Sequence, residues 1–482
     1  MPLLLVSVFI QMLATPLVYL LTRAQRRVGE IIAAAVSIIP FLVVLSFFPI
    51  VYSGGRVWES YPWISSLGLH LSLLLDELSY PFALLISLMA FLSTIYSMKY
   101  MEHEHGYEAY MALLMLFGSG MMGVILVQNL FLFYIFWELM LIPSYFLIAY
   151  WGTGKPRIIG FKYFIFTHAG ALAMLLGIIW IFTITGALEF SEVAEATRAM
   201  GASSTAVVIA SLLFVGAAVK MAVFPFHTWL PDAHAEAPTP ISVLLSGVMI
   251  KTGVYALARI VIGFLPQAFS AISSGVALLA VATMVWGGLM AMVQSDVKRL
   301  LAYSSVSQMG YILFGLVALA PVGVAGSLFH VLNHGFAKGM LFMGAGVLIH
   351  ELNERDLGKL GGLASHMPIT AMAFLLGGLS IAGTPPLGGF ASEWMIFSGA
   401  MESGMPLYTA IAILATAITA GYYLRMMRAI FFLKPRRSLD GVEDAPPTMA
   451  ATISVLLALV VILGFLNYPI TSIISRAASS II

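Results

Sequence analysis

Nine side chains that can carry charge interrupt otherwise apolar stretches of this sequence: Glu138, His168, Lys220, Lys251, Arg259, His330, His334, Lys338 and Glu393. Acids, amines and imidazoles together are the set that takes up protons and hands them on. His330, His334 and Lys338 recur at i, i+4 and i+8, which puts three titratable groups along about 12 Å of one helix face. A proton relay needs such a row, with sites close enough to exchange through water and affinities that neighbours can move. Lys220 and Lys251 sit within consecutive apolar segments joined by a short proline-rich turn. Glu138 lies inside Phe136-Trp137-Glu138-Leu139-Met140, with Pro143 one turn further on. The competing reading is structural, with these groups pairing to hold helices together. It fits two of them best: Arg259, near the end of its segment and free to snorkel, and His168, isolated on its own segment.

Composition defines their surroundings. Of 482 residues 61% are hydrophobic and 9% charged, where a soluble domain carries roughly 25% charge. Mean hydropathy is +0.99. Lys and Arg number 23 against 22 Asp and Glu, so the net charge of +1 gives no basic field to recruit nucleic acid. With no cysteine, disulfides, thiolate metal sites, iron–sulfur clusters and Cys nucleophiles are all excluded. An all-α polytopic membrane protein follows.

Apolar stretches of about 20 residues number fourteen, at 2–22, 28–51, 77–98, 109–127, 129–151, 160–186, 205–230, 240–264, 273–294, 299–320, 322–349, 369–399, 406–431 and 447–468. The first lacks a basic region before it and runs into Arg23, Arg26 and Arg27, so it reads as a permanent helix and not a cleaved signal. With both termini outside, sixteen basic residues fall on inner connections, Arg437 among them, and three (Arg56, Arg198 and Arg476) on outer ones. That asymmetry supports the orientation. The aromatic outer stretch 53–75 is expected to hold a hairpin or an interfacial segment. Segment 187–200 is expected to form a short amphipathic piece on the same face.

Two stretches are broken. One reads Lys220-Met221-Ala222-Val223-Phe224-Pro225-Phe226-His227; the other reads Gly383-Thr384-Pro385-Pro386-Leu387-Gly388-Gly389. Proline removes a backbone donor and clashes one turn back. In a bilayer such breaks persist where protein buries them or where they line a hydrated cavity. Lys220 lies just before Pro225, and Glu393 follows Pro385 and Pro386. Paired breaks in two halves point to inverted-repeat transporters with sites at the membrane midplane. The expected organisation is an N-terminal three-helix segment (1–107), a first five-helix repeat (108–264), a second (265–431), and a C-terminal loop and last helix (432–482).

The run from Lys220 to Pro240, with its core Trp229-Leu230-Pro231-Asp232-Ala233-His234-Ala235-Glu236-Ala237-Pro238-Thr239-Pro240, resembles the signature of the antiporter-like subunits of respiratory complex I. Mrp cation/proton antiporters and membrane-bound hydrogenases share it. Trp137-Glu138, Asp296-Val297-Lys298-Arg299-Leu300-Leu301-Ala302-Tyr303-Ser304-Ser305 and Arg355-Asp356-Leu357-Gly358-Lys359-Leu360-Gly361-Gly362-Leu363 support the resemblance, which covers nearly the whole chain. It implies about fourteen transmembrane helices with two inverted five-helix repeats, and a midplane axis of Glu138, Lys220, Lys251, His330, His334, Lys338 and Glu393. Glu393 is similar to the chain M (subunit 4) type, whereas Asn333-His334-Gly335-Phe336-Ala337-Lys338 is more similar to the Mrp D and hydrogenase type. The chain is expected to lack the long lateral helix of the chain L type.

The physical reading agrees with a relay. At roughly 4 Å and an effective dielectric of 20, a Glu–Lys pair is worth about 4 kcal/mol, so a pairing of Glu138 with Lys220 would gate that lysine. Lys251 is the expected central relay, the His330–Lys338 face the second-half relay, and Glu393 the terminal group. Three function classes compete: a proton-translocating subunit of a redox-driven respiratory complex, an Mrp-type Na+(K+)/H+ antiporter subunit, and an unrelated transporter or membrane enzyme. No metal-ligand spacing, nucleophile elbow or nucleotide loop supports the last. No cofactor is expected on this chain; flavin, iron–sulfur clusters and quinone belong to partner subunits. The expected partners are other membrane subunits, further antiporter-like subunits among them, lipid, and H+ or Na+. The expected place is an energy-coupling inner or plasma membrane.

Overall fold

The computed structural model describes residues 2–64, 69–436 and 438–482. Arg437 and the centre of the 53–75 stretch lie outside the described residues. Helix lies under each of the fourteen apolar stretches. Among the described residues, eleven of these helices are both long and apolar enough to cross a membrane. The other three are the broken pair and Pro321–Leu352. Breaks leave Ser204–Lys220 and Pro368–Ile381 short, while His330, Asn333, His334 and Lys338 interrupt the apolar run of Pro321–Leu352. Glu138, His168 and Lys251 lie on helices among the eleven, whereas Lys220 and the His330–Lys338 row lie on helices that fall short.

Burial sorts the bundle into a centre and a rim. Every residue in the most apolar window of Thr239–Ile262 is buried, against 22% for Arg26–Tyr52. Val297–Val317 and Pro321–Leu352 are likewise buried along almost their whole length. The helices bearing Lys251 and the His330–Lys338 row are therefore shielded from lipid by protein, which is where intramembrane charges are tolerated. Close packing depends on small residues: a Cβ on Gly310 would stand 2.7 Å from the Ala280 carbonyl and the Met284 nitrogen. Without a hydrophobic force between helices in lipid, such backbone contact is what joins them.

The 53–75 stretch forms an antiparallel hairpin, Val57–Ile64 with Leu69–Leu75 and Val57 opposite Leu75. Its Glu59 carboxylate accepts hydrogen bonds from the Leu4 and Leu5 amides (2.9 and 3.0 Å). A carboxylate there satisfies orphan donors and opposes the positive helix end. Phe190–Arg198 is the amphipathic helix of 187–200, with Phe190, Val193 and Thr197 turned inward. A second amphipathic helix, Tyr468–Ile481, was not foreseen in the sequence. It buries Ile470, Ile473, Ile474, Ala477 and Ala478. At the opposite ends of the helices, the three sequence motifs converge. Asp232 pairs with Lys162 (2.7 Å) and Arg299 (3.0 Å), and Asp296 pairs with Arg355 (2.8 Å).

Arg259 does not snorkel. Its guanidinium donates to both oxygens of Asp76 at 2.6 and 2.7 Å, and Asp76 also accepts the Ser79 amide. Burial pushes the Asp76 carboxyl up, but the Arg259 charge and these hydrogen bonds outweigh it and hold the group below the usual carboxylate range. A carboxylate with a depressed folded-state value contributes stability above its unfolded value, and that stability is lost as pH falls through the folded one. Asp76→Asn, which strands a largely buried arginine, is expected to cost about 3 kcal/mol. Thermal unfolding of the purified complex checks this, and the double substitution Asp76→Leu/Arg259→Met should recover most of the loss.

Candidate functional site

Glu138 sits mid-helix in Leu130–Trp151, whose first turn is capped by Asn129 accepting the Phe131 amide at 2.9 Å. The sequence pairs it with Lys220; the structure pairs it with His168 instead. Glu138 Oε2 lies 3.2 Å from His168 Nδ1, and the His168 ring stacks on Phe164. His168 is therefore a contact of the acid and not an isolated packing residue. Lys220 closes helix Ser204–Lys220, and its Nζ lies 4.9 Å from the centre of the Trp137 ring with no hydrogen-bond partner. The indole face takes the ammonium that the carboxylate was expected to hold.

The break after Lys220 leaves backbone groups free, and side chains take them. Trp229 Nε1 donates to the Val219 carbonyl (3.0 Å), and the Phe224 amide donates to Thr283 Oγ1 (3.0 Å). Beyond the turn, Thr239–Ile262 carries Lys251 between two wide helical turns, Leu245–Met249 and Leu257–Ile262. Such turns expose carbonyls. Lys251 Nζ donates to the Ser246 carbonyl, and it lies 2.7 Å from His334 Nδ1. That contact joins helix Thr239–Ile262 to helix Pro321–Leu352. Ser246 and Ser305 hydroxyls meet beside it at 2.7 Å.

From His334 the contacts run along Pro321–Leu352 to His330, with ring centres 6.1 Å apart. His330 Nε2 faces Gln308 Oε1 at 2.7 Å, and Nδ1 faces Ser392 Oγ at 2.9 Å. Ser392 adjoins Glu393 on Gly388–Glu402, the helix that restarts after Pro385 and Pro386. Asn333 anchors that restart by donating to the Gly388 carbonyl (3.0 Å). Lys338 leaves the row: its Nζ donates to the Leu301 carbonyl (2.8 Å) and lies over the Tyr423 ring. No hydrogen bond joins it to His334 or Glu393 among the described residues.

Three further buried polar side chains lie outside the predicted set: Gln308, Ser392 and His234. Gln308 and Ser392 are uncharged, so a search for ionisable groups passes over them. His234 was visible in the signature motif but lies beyond its apolar stretch. Its ring is fully buried, stacks on Phe342 with centres 4.8 Å apart, and has neither nitrogen bonded. Glu138 Oε1, Lys220 Nζ, His334 Nε2 and Glu393 Oε1 are also buried without a protein partner. Among the described residues no three His, Asp or Glu side chains converge as a metal-ligand set.

Residues 127–419 match the family model described as NADH:quinone oxidoreductase/Mrp antiporter, TM, and residues 62–111 match that for the NADH-ubiquinone oxidoreductase (complex I) chain 5 N-terminus. The chain is 35% identical to NAD(P)H-quinone oxidoreductase chain 4 1 of Synechococcus sp. (strain JA-3-3Ab), covering 85% of this chain and 79% of that one. It is 32% identical to F(420)H(2) dehydrogenase subunit M of Methanosarcina mazei, covering 89% and 87%. It is 35% identical to a probable K(+)/H(+) antiporter subunit of Rhizobium meliloti, covering 92% of this chain but 45% of that longer one. A subunit of the membrane-bound sulfane sulfur reductase, an archaeal respiratory membrane complex, superposes with a TM-score of 0.90 at 27% identity, over 99% of this chain and 97% of that one. With a family match over more than half its length, this chain belongs to the NADH:quinone oxidoreductase/Mrp antiporter transmembrane family.

Proposed function

We propose that this chain is the proton-translocating, antiporter-like membrane subunit of a redox-driven respiratory complex. The observation that carries the reading is the 2.7 Å contact of Lys251 with His334. Each nitrogen has one lone pair or one proton to offer along that line, so the pair holds a single shared proton. A proton reaching Lys251 moves to His334 Nδ1, leaves from the unbonded Nε2, and continues past His330 and Ser392 to Glu393. Glu138, bonded to His168 and within electrostatic reach of Lys220, sets whether Lys220 keeps its proton. Removing that carboxylate's charge changes the balance by up to about 4 kcal/mol at 4 Å and an effective dielectric of 20, and by less at longer range. Lys338 adds positive charge near the row and tunes it.

The finer organisation is part of the same proposal. All fourteen helical stretches span the membrane, both termini lie outside, and residues 108–264 and 265–431 form inverted repeats bearing one break each. The N-terminal segment is 1–107 and the C-terminal segment 432–482. Flavin, iron–sulfur clusters and quinone reside in partner subunits, and the complex sits in an inner or plasma membrane among lipid and further antiporter-like subunits. Mrp-type exchange of Na+ or K+ for H+ is the alternative, favoured by the 35% identity to a K(+)/H(+) antiporter protein. Copurifying redox subunits support the first reading; only small membrane subunits support the second.

Two outcomes are expected in proteoliposomes carrying the whole complex. Glu138→Gln keeps shape and removes charge, so assembly should persist while coupled proton uptake falls about a hundredfold, in the range of a lost proton-transfer group; normal uptake would remove Glu138 from the path. His334→Gln should stop uptake equally, because an amide cannot pass on the shared proton. Lys338→Met, off the bonded row, should slow it only about tenfold. Equal losses in the last two variants would return Lys338 to the main row.

A further inference from the structure

Basic residues are scarce on the face that bears the hairpin and the two amphipathic helices, yet they gather there. Arg56, Arg198 and Arg259 line one cavity of about 430 Å³ between the hairpin, Phe190–Arg198 and the end of Tyr468–Ile481. Arg259 is taken by Asp76. The exposed side chains of Arg56 and Arg198 have neither an ion pair nor a hydrogen bond among the described residues. The lining includes no carboxylate, while Trp58, Phe190 and Phe264 supply an apolar wall.

Depth identifies the ligand. Amphipathic helices that turn only one face inward lie in the plane of the membrane surface, and two of them border this cavity. The buried helix Thr239–Ile262 ends there, with Arg259 in its last turn. A cationic cavity with aromatic walls at headgroup level is matched by a molecule whose phosphate meets the guanidinium forks and whose chains cover the rings. We infer that this cavity binds the phosphate of an anionic phospholipid, held by Arg56 and Arg198 against Trp58 and Phe264. Arg259, already neutralised by Asp76, positions the wall and adds little charge.

The test is native mass spectrometry of the delipidated complex, titrated with phosphatidylglycerol, phosphatidylcholine or inorganic phosphate. Juxtamembrane arginines each strengthen anionic-lipid binding about fivefold, so Arg56→Gln/Arg198→Gln should weaken one phosphatidylglycerol site about 25-fold. Ser191→Glu, which sets a carboxylate in the lining, should weaken the same site while both arginines remain. Phosphatidylcholine should not fill it. Equal phosphatidylglycerol binding by wild type and double variant would overturn the proposal. So would saturation by phosphate alone, which would assign a soluble anion, or protection only when a neighbouring subunit with an acidic segment is present. The readout is lipid binding, so its outcome is independent of which ion the complex moves.

Discussion

One shared proton between Lys251 and His334 sets the terms for the rest of this bundle. Two full positive charges 2.7 Å apart in a low-dielectric core repel strongly, so the pair is stable only with one proton between two nitrogens. Everything around it keeps that condition. The Ser246 carbonyl accepts from the amine, and a wide turn makes that carbonyl available. The three most deeply buried helices exclude lipid and its disorder from the contact. A contact this demanding has to lie at the centre, and the apolar helices arrange themselves as its shield.

The breaks follow from the same requirement. An unbroken helix offers no backbone groups and no space for water at mid-depth. Stopping the helix at Lys220 and restarting another at Gly388 interrupts the backbone ladder, at the cost of free donors and acceptors. The chain meets that cost with side chains: Trp229 donates to the Val219 carbonyl and Thr283 accepts the Phe224 amide, while Asn333 ties the start of the second helix by donating to the Gly388 carbonyl. Gly389 completes the second break, because a Cβ there would overlap the Ser380 carbonyl. The polar path and the helix breaks are one design constraint seen from two sides.

What the sequence made legible tracks the range of the physics. Helix positions, both breaks and the hairpin depend on local hydropathy, proline and turn residues, and they were readable. The i, i+4, i+8 row was readable because helical spacing is fixed. Partner choice was not, because it depends on which faces meet across helices. Glu138 and Lys220 have opposite charges, yet they form no ion pair: Glu138 contacts His168 and Lys220 lies over the Trp137 ring. Lys338 shares a face with His334 in projection, but its long side chain reaches Leu301 and Tyr423. Helix Tyr468–Ile481 was missed because its apolar residues, spaced for one face only, never form a continuous apolar run.

The two ends of the bundle solve different problems with the same charges. At one end Asp232, Arg299, Asp296 and Arg355 tie the signature motif to the two other motifs through ion pairs, and Lys298 and Arg425 donate to the Ala237 and Gln294 carbonyls. At the other, Arg259 is matched by Asp76 and Arg476 by Glu77 (3.5 Å), while Arg56 and Arg198 are left unmatched beside aromatic rings. Matched charges fix helix ends in place, since separating them strands a buried ion. The unmatched guanidiniums of Arg56 and Arg198 are exposed and hold nothing inside the chain, so they are free to meet a group from outside it.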